Sequence, residues 1–446
     1  MPGGAGRALF ARYHCALPQS YARLMIGWAR ATGVLAMTAV AVAGILMAPP
    51  AGKQLVDDGL QALWSMSPRQ AQAYLLKNPA IAVDLANADG RYVDDLWNKA
   101  SAKERKTALR NAPQLIGNLE GVDYTDRDKG NRIYLARALA STTKRVASKP
   151  QDETAQFRLR ALKAVKATLA GPRKPRRYLV ELTPAPRPLA AVAVGSPDTA
   201  MQVTFDVPGM GTYADDMQLW TQAAQNVYDE QGKAGAPANR SVIAWIGYVT
   251  PPPGIDAALG AYAARGAPRL VAALRGFKVS RDGAVGVDLS VIAHSYGTTT
   301  AANALASARL GVFSFVMLGS AGIEENIRDA RALHCEHVYA GEAVGDTQAQ
   351  WGRLTRRDPR APSFGATILH VEGSSGKLPV TAHEPIKHSN WNNDPTSAAY
   401  AKLTDMNELA KKYSDHVTTF GYLDAGTESL ANAATATTRY PSRGLL

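Results

Sequence analysis

A chain of 446 residues with 46% hydrophobic content belongs among globular proteins, with room for one large domain and a smaller one. Its two cysteines, Cys15 and Cys335, stand far apart, which excludes a disulfide framework and gives no metal-ligand spacing. A formal net charge of +12 suits an anionic surface such as an envelope or membrane; without a basic motif interleaved with aromatics, nucleic acid is set aside as a partner.

Arg23 and Arg30 precede the uncharged, mostly apolar run Ala31–Ala48, which exits through Pro49-Pro50-Ala51-Gly52. Residues 1–50 therefore read as a signal peptide or an N-terminal membrane anchor. Either address makes the protein secreted or membrane-anchored, with its catalytic part outside the cytoplasm. Cleavage would also remove Cys15.

Residues 51–177 read as a helical region or cap. Ser67-Pro68-Arg69-Gln70 has a cap residue followed by proline at the first helical position, and Ser101-Ala102-Lys103-Glu104 is a capping box. Gly171 to Arg177 is a basic linker.

From 178 to 420 the texture alternates. Strands are expected at Tyr178–Leu182, Ala190–Val194, Val203–Val207, Val242–Tyr248, Val287–Ala293, Phe313–Gly319, His337–Ala340 and Ala366–Val371. Helices are expected at Asp215–Glu230, Asp256–Leu274, Thr298–Leu310, Glu324–Leu333 and Thr396–Tyr413. Such alternation predicts an α/β class, with a mostly parallel central sheet and its sites at the carboxyl ends of the strands. Residues 421–446, rich in Ala, Thr and Ser, read as a weakly structured tail.

The chemistry centres on Ala293-His294-Ser295-Tyr296-Gly297, between a β-branched run and an Ala-rich helical segment. This is a G-x-S-x-G elbow with Ala for the first Gly, a turn that lifts a serine hydroxyl out of a sheet at a helix N-terminus. The alternative is a serine that only caps the helix. A nucleophilic serine needs a histidine base oriented by a carboxylate, in chain order Ser, acid, His. Asp346, on the Gly345-Asp346 turn, is preferred to Glu342 as the acid. Among His370, His383, His388 and His416, the loop residues His383 and His388 are the base candidates, and His388 is chosen. His370 reads as a packed core histidine. Two backbone N–H groups are expected to hold an oxyanion: that of Tyr296, and that of Met210 in Val207-Pro208-Gly209-Met210-Gly211-Thr212. Neither a metal nor an organic cofactor is called for.

Together these residues resemble an actinobacterial family of exported α/β-hydrolase-fold proteins catalogued as a domain of unknown function. The matching pieces include Pro113 to Val122, Arg127-Asp128, Asn131-Arg132, Ala191 to Ala200, Val207 to Thr212, Ala244 to Tyr248, His294 to Gly297, Gly345-Asp346 and His388-Ser389. The resemblance implies an α/β-hydrolase fold to which the helical segment belongs, with Ser295 as nucleophile, Asp346 as acid and His388 as base. The expected activity is a serine hydrolase on carboxylic esters, on lipidic or envelope substrates. An acyltransferase or amidase on the same residues, and a non-catalytic envelope-binding protein, are the rivals.

Overall fold

A computed structural model of the protein describes residues 88–171, 174–281, 286–374, 376–387 and 419–446, with a few positions between 60 and 77. Residues 1–50, the expected helix Thr396–Tyr413, His388 and His416 lie outside the described residues.

The described chain up to residue 171 is helical: α1 (Gly90–Lys99), α2 (Ala102–Asn111), α3 (Pro113–Ile116), α4 (Tyr124–Ser148) and α5 (Glu153–Leu169). The capping box forms as read. Ser101 Oγ accepts from the Glu104 amide, and the Glu104 carboxylate accepts from the Ser101 amide. Val93, Trp97, Ala108, Leu109 and Ile116 make a small core of this region's own.

The rest is built on eight strands: β1 (Arg177–Leu182), β2 (Ala190–Val194), β3 (Gln202–Val207), β4 (Arg240–Ile246), β5 (Asp288–His294), β6 (Val312–Leu318), β7 (Cys335–Gly341) and β8 (Thr367–Ile368). Their spatial order is β1-β2-β4-β3-β5-β6-β7-β8. β2 runs antiparallel to both β1 and β4, and every other neighbour pair is parallel. Helices α6 (Met217–Lys233), α7 (Ala261–Val279), α8 (Tyr296–Ser307), α9 (Thr347–Gly352) and α10 (Glu428–Ala436) follow β3, β4, β5, β7 and β8 among the described residues.

The helical region does more than sit beside the sheet. An edge strand exposes backbone groups that need partners, and here polar side chains supply them. Asp128 accepts from the Leu179 amide at 2.7 Å, and Asn131 donates to the Leu179 carbonyl at 3.0 Å. Asn118 both accepts from the Leu182 amide and donates to its carbonyl, at 2.8 and 2.9 Å. Arg132 donates to the Arg177 carbonyl. The polar pieces of the helical segment thus seal the outer edge of β1.

One face of the sheet packs on α7 and α8 through Val203, Phe205, Val207, Leu289, Val291, Phe315 and Met317. The other packs on α6 and α10 through Ile292, Val316, Trp220 and Leu430.

Four expectations need correction. Residues 421–446 are not a loose tail: Tyr422, Leu423 and α10 are buried, and α10 packs on α6. Its small residues allow that close approach, and low hydrophobicity had hidden it. The expected helix Glu324–Leu333 shrinks to a 3-10 turn at Ala330–Leu333, begun by an Asp329 cap. The strand Ala366–Val371 shrinks to the two residues of β8. His370 is exposed rather than packed in the core.

Candidate active site

β5 ends at His294, and the chain turns at once into α8 through Ser295, whose φ of +53° and ψ of −126° are unusual for a residue with a side chain. Such a conformation costs on the order of 1–3 kcal/mol and must be held by its surroundings. The close packing shows in two glycines. A Cβ on Gly297 would lie 2.5 Å from the Val207 carbonyl oxygen and 2.6 Å from that of Pro208. A Cβ on Gly209 would lie 2.7 Å from Ser295 Cβ. Ala293 lies within β5 without a positive φ, so a methyl is accommodated there.

Ser295 is the N-cap residue of α8 but makes no side-chain cap bond. Its Oγ instead lies 2.8 Å from His383 Nε2. His383 Nδ1 lies 2.8 Å from both carboxylate oxygens of Asp346. Burial alone would raise the Asp346 carboxyl, but hydrogen bonds from His383, the Ala349 amide and Tyr422, with the charge of His383, hold it at about 2. An ionised carboxylate only accepts, so Nδ1 carries the proton that it donates to Asp346. In the neutral ring Nε2 is then left to accept from the Ser295 hydroxyl.

The imidazole facing Ser295 is therefore that of His383, not His388. The reason lies in how its loop is anchored. Val380 and Ile386 are buried on either side of it. The Thr381 and Ala382 amides donate to the Phe420 carbonyl, the Tyr422 amide to that of Glu384, and the Leu423 amide to that of Pro385. Asp346 lies against His383 and also caps α9 by accepting from the Ala349 amide. Glu342 is held elsewhere. Arg353 grips it, Arg360 Nη2 lies 3.0 Å from it, and its side chain is buried.

Tyr296 is the first residue of α8, where a helix leaves its amide without an internal acceptor. The loop carrying Met210 passes beside it, since a Cβ on the preceding Gly209 would stand 3.2 Å from Ser295 Oγ. Tyr248 fixes that loop by donating its hydroxyl to the Pro208 carbonyl at 2.7 Å.

Two supporting residues escaped the sequence reading. His294 Nε2 lies 2.6 Å from the His383 carbonyl oxygen, and a carbonyl only accepts, so Nε2 is the protonated nitrogen. Burial and then the neighbouring His383 push His294 down to about 3, which keeps it neutral. Tyr422 donates to Asp346 Oδ2 at 2.7 Å and accepts from the Ala343 amide at 3.0 Å. The position of His294 inside the elbow was a signal for the first. Nothing local pointed to the second, which arrives from 76 residues beyond Asp346.

Residues 183–355 match the model of a family described as Alpha/beta hydrolase. The fold is an α/β-hydrolase fold. The matched span includes Ser295 and Asp346 and ends before His383. Two uncharacterized proteins from two strains of Mycobacterium tuberculosis are each 29% identical to the chain over 288 residues, covering 58% of it and 43% of their own length. The aligned part of the chain thus spans less than half the length of these curated relatives. Among solved structures, a dienelactone hydrolase from Anabaena variabilis is similar over 51% of this chain and 90% of its own, with 14% identity and a TM-score of 0.29. A serine hydrolase without a lid from Xanthomonas campestris is similar over 52% of this chain and 92% of its own, with 12% identity and a TM-score of 0.26.

Proposed function

We propose that the α/β-hydrolase fold of this chain carries a serine hydrolase for carboxylic esters, with Ser295 as nucleophile, His383 as base and Asp346 as its orienting acid. The observation that carries this reading is the unbroken row from Ser295 Oγ through His383 to Asp346, with both links at 2.8 Å. A serine hydroxyl attacks poorly until a base takes its proton. In the first step His383 Nε2 accepts that proton as Oγ bonds to the ester carbonyl carbon. The Asp346 carboxylate keeps the ring in the right tautomer and stabilises its cation. The Tyr296 and Met210 amides donate to the developing oxyanion, an arrangement typically worth a factor of about 10²–10³ for each donor. Collapse breaks the bond to the alcohol oxygen, which leaves with the proton from His383. Water then attacks the acyl-serine with His383 again as base, releasing the acid and restoring the hydroxyl. The excess of positive charge motivates an anionic envelope surface as the setting.

The test is hydrolysis of p-nitrophenyl esters by the wild-type chain and by Ser295→Ala side by side, with labelling by a serine-directed phosphonate. Wild-type turnover should fall by a factor on the order of 10³ or more in the variant, and the label should attach only to the wild type. Equal rates and no label at Ser295 would sink the reading.

A further inference from the structure

Beyond the oxyanion loop lies a cavity of about 180 Å³ between the hydrolase core and the helical region. Its walls include Tyr248 after β4, Tyr213 after the oxyanion loop, Tyr262 at the start of α7, and Phe157 from α5. Phe157 and Tyr213 meet edge to face with centroids 6.1 Å apart. The Arg187 guanidinium lies over the Phe157 ring, 4.9 Å from its centre, and Arg187 lines the same wall. Val249, 59% exposed, stands on the solvent side.

This cavity is tied to the site by covalent reach. Thr212 lines it, and Thr212 is three residues from Gly209, whose Cβ would stand 3.2 Å from Ser295 Oγ. Three residues span at most about 11 Å, so the wall begins within one substrate length of the nucleophile. Tyr248 joins the two directly, as a residue of the cavity wall whose hydroxyl donates to the Pro208 carbonyl. At about 30 Å³ for each water in the liquid, the volume corresponds to roughly six non-hydrogen atoms.

The geometry points to a specificity pocket for one of the two groups flanking the scissile ester: a short apolar, branched or aromatic group of roughly six non-hydrogen atoms, selected in part by Phe157 of the helical region. The inference rests on the ester-hydrolase reading and gives the helical region a second role, besides sealing β1. Long unbranched chains do not fit within it.

Two ester series test it. One varies the acyl group of p-nitrophenyl esters from two to twelve carbons, and the other varies the alcohol of acetate esters. In one series kcat/KM should rise about fourfold per added methylene up to about six atoms and then fall. Phe157→Leu, which widens the cavity, should move that optimum to longer groups, and Val249→Trp, which narrows it from the exposed side, to shorter ones. Both shifts should appear mainly in KM. An optimum unmoved by either variant in both series, with both proteins folded by circular dichroism, overturns the pocket while leaving the hydrolase reading intact. If wild type cleaves no ester, the hydrolase reading fails and the pocket is decided by binding. Saturation-transfer signals from 1-hexanol and benzyl alcohol that weaken in Val249→Trp support it, and signals equal in all three proteins overturn it.

Discussion

The two faces of the central sheet are built from different chemistry. Toward α7 and α8 the inner strands present Val203, Phe205, Val207, Leu289, Val291, Ala293, Phe315 and Met317, all apolar. By the alternation of a strand, the intervening residues face α6 and α10, and these include Gln202, Thr204, Asp206, Ser290, His294 and Ser314, all buried. Several polar atoms on that second face have no hydrogen-bond partner among the described residues: both oxygens of Asp206, the hydroxyls of Ser290 and Ser314, and the side-chain amide of Gln202. A buried polar group without a partner costs about 1–3 kcal/mol. The face that carries this cost is also the one on which His294 and Tyr422 hold His383 and Asp346. The apolar face supplies stability, and the polar face gives up part of it where the site is positioned.

Substitutions on the two faces should therefore separate by their pH dependence. The largest effect is expected on the apolar face. Phe277 is buried between Tyr124 and Phe205, and Phe277→Ala should cost about 3–5 kcal/mol by the same amount at pH 5 and pH 8 in urea unfolding. A pH-dependent loss would break the distinction between the faces.

Asp206 comes next, with the opposite sign. Its burial without a partner raises its carboxyl well above the ordinary range. Below about pH 4 both folded and unfolded chains hold the proton, so Asp206 adds no penalty. As pH rises past that value the unfolded chain releases its proton while the folded one keeps it, and stability falls. Asp206→Asn should be close to neutral at pH 3.5 and stabilising at pH 7, by about 1.4 kcal/mol for each unit of the upward displacement. Differential scanning calorimetry at the two pH values checks this, and a variant less stable at pH 7 would mean that a partner sustains the charge.

These contrasts also explain what could be read in the chain beforehand. Strand–helix alternation made the sheet legible, because buried parallel strands are runs of β-branched residues whatever their partners. The elbow was legible because small residues flank Ser295 within five positions. The Gly345-Asp346 turn singled out the carboxylate that lies against His383, although the Arg353 and Arg360 partners that occupy Glu342 could not be foreseen. The choice of His388 passed over the imidazole that lies against Ser295, because loop position does not distinguish His383 from His388. What selects His383 is its pairing with residues 420–423, a contact across more than thirty residues of chain. The same non-local contact turns a segment of low hydrophobicity, read as a loose tail, into part of the site.

Tyr422 gives that contact its smallest and most informative test. Its hydroxyl is a buried donor to Asp346 Oδ2, and burial and the carboxylate both raise its own pKa, so it stays protonated and donating. Tyr422→Phe keeps the ring against His294, with centroids 5.7 Å apart, and removes only the donor. A hydrogen bond to a charged group contributes about 1.5–3 kcal/mol, so kcat should fall about tenfold or more while KM stays near its wild-type value. The carboxyl of Asp346 should rise from about 2 toward the ordinary carboxylate range. A depressed acid lends stability above its unfolded pKa and loses it as pH falls through the folded one. The wild type should shed this contribution between about pH 4 and pH 2, and the variant has less to shed, over a narrower window nearer pH 4. Loss of kcat with a flatter acid-unfolding curve makes Tyr422 a positioning residue for the acid. A variant with unchanged kcat and an unchanged curve would reduce it to a packed ring, and the polar face would then support the site through His294 alone.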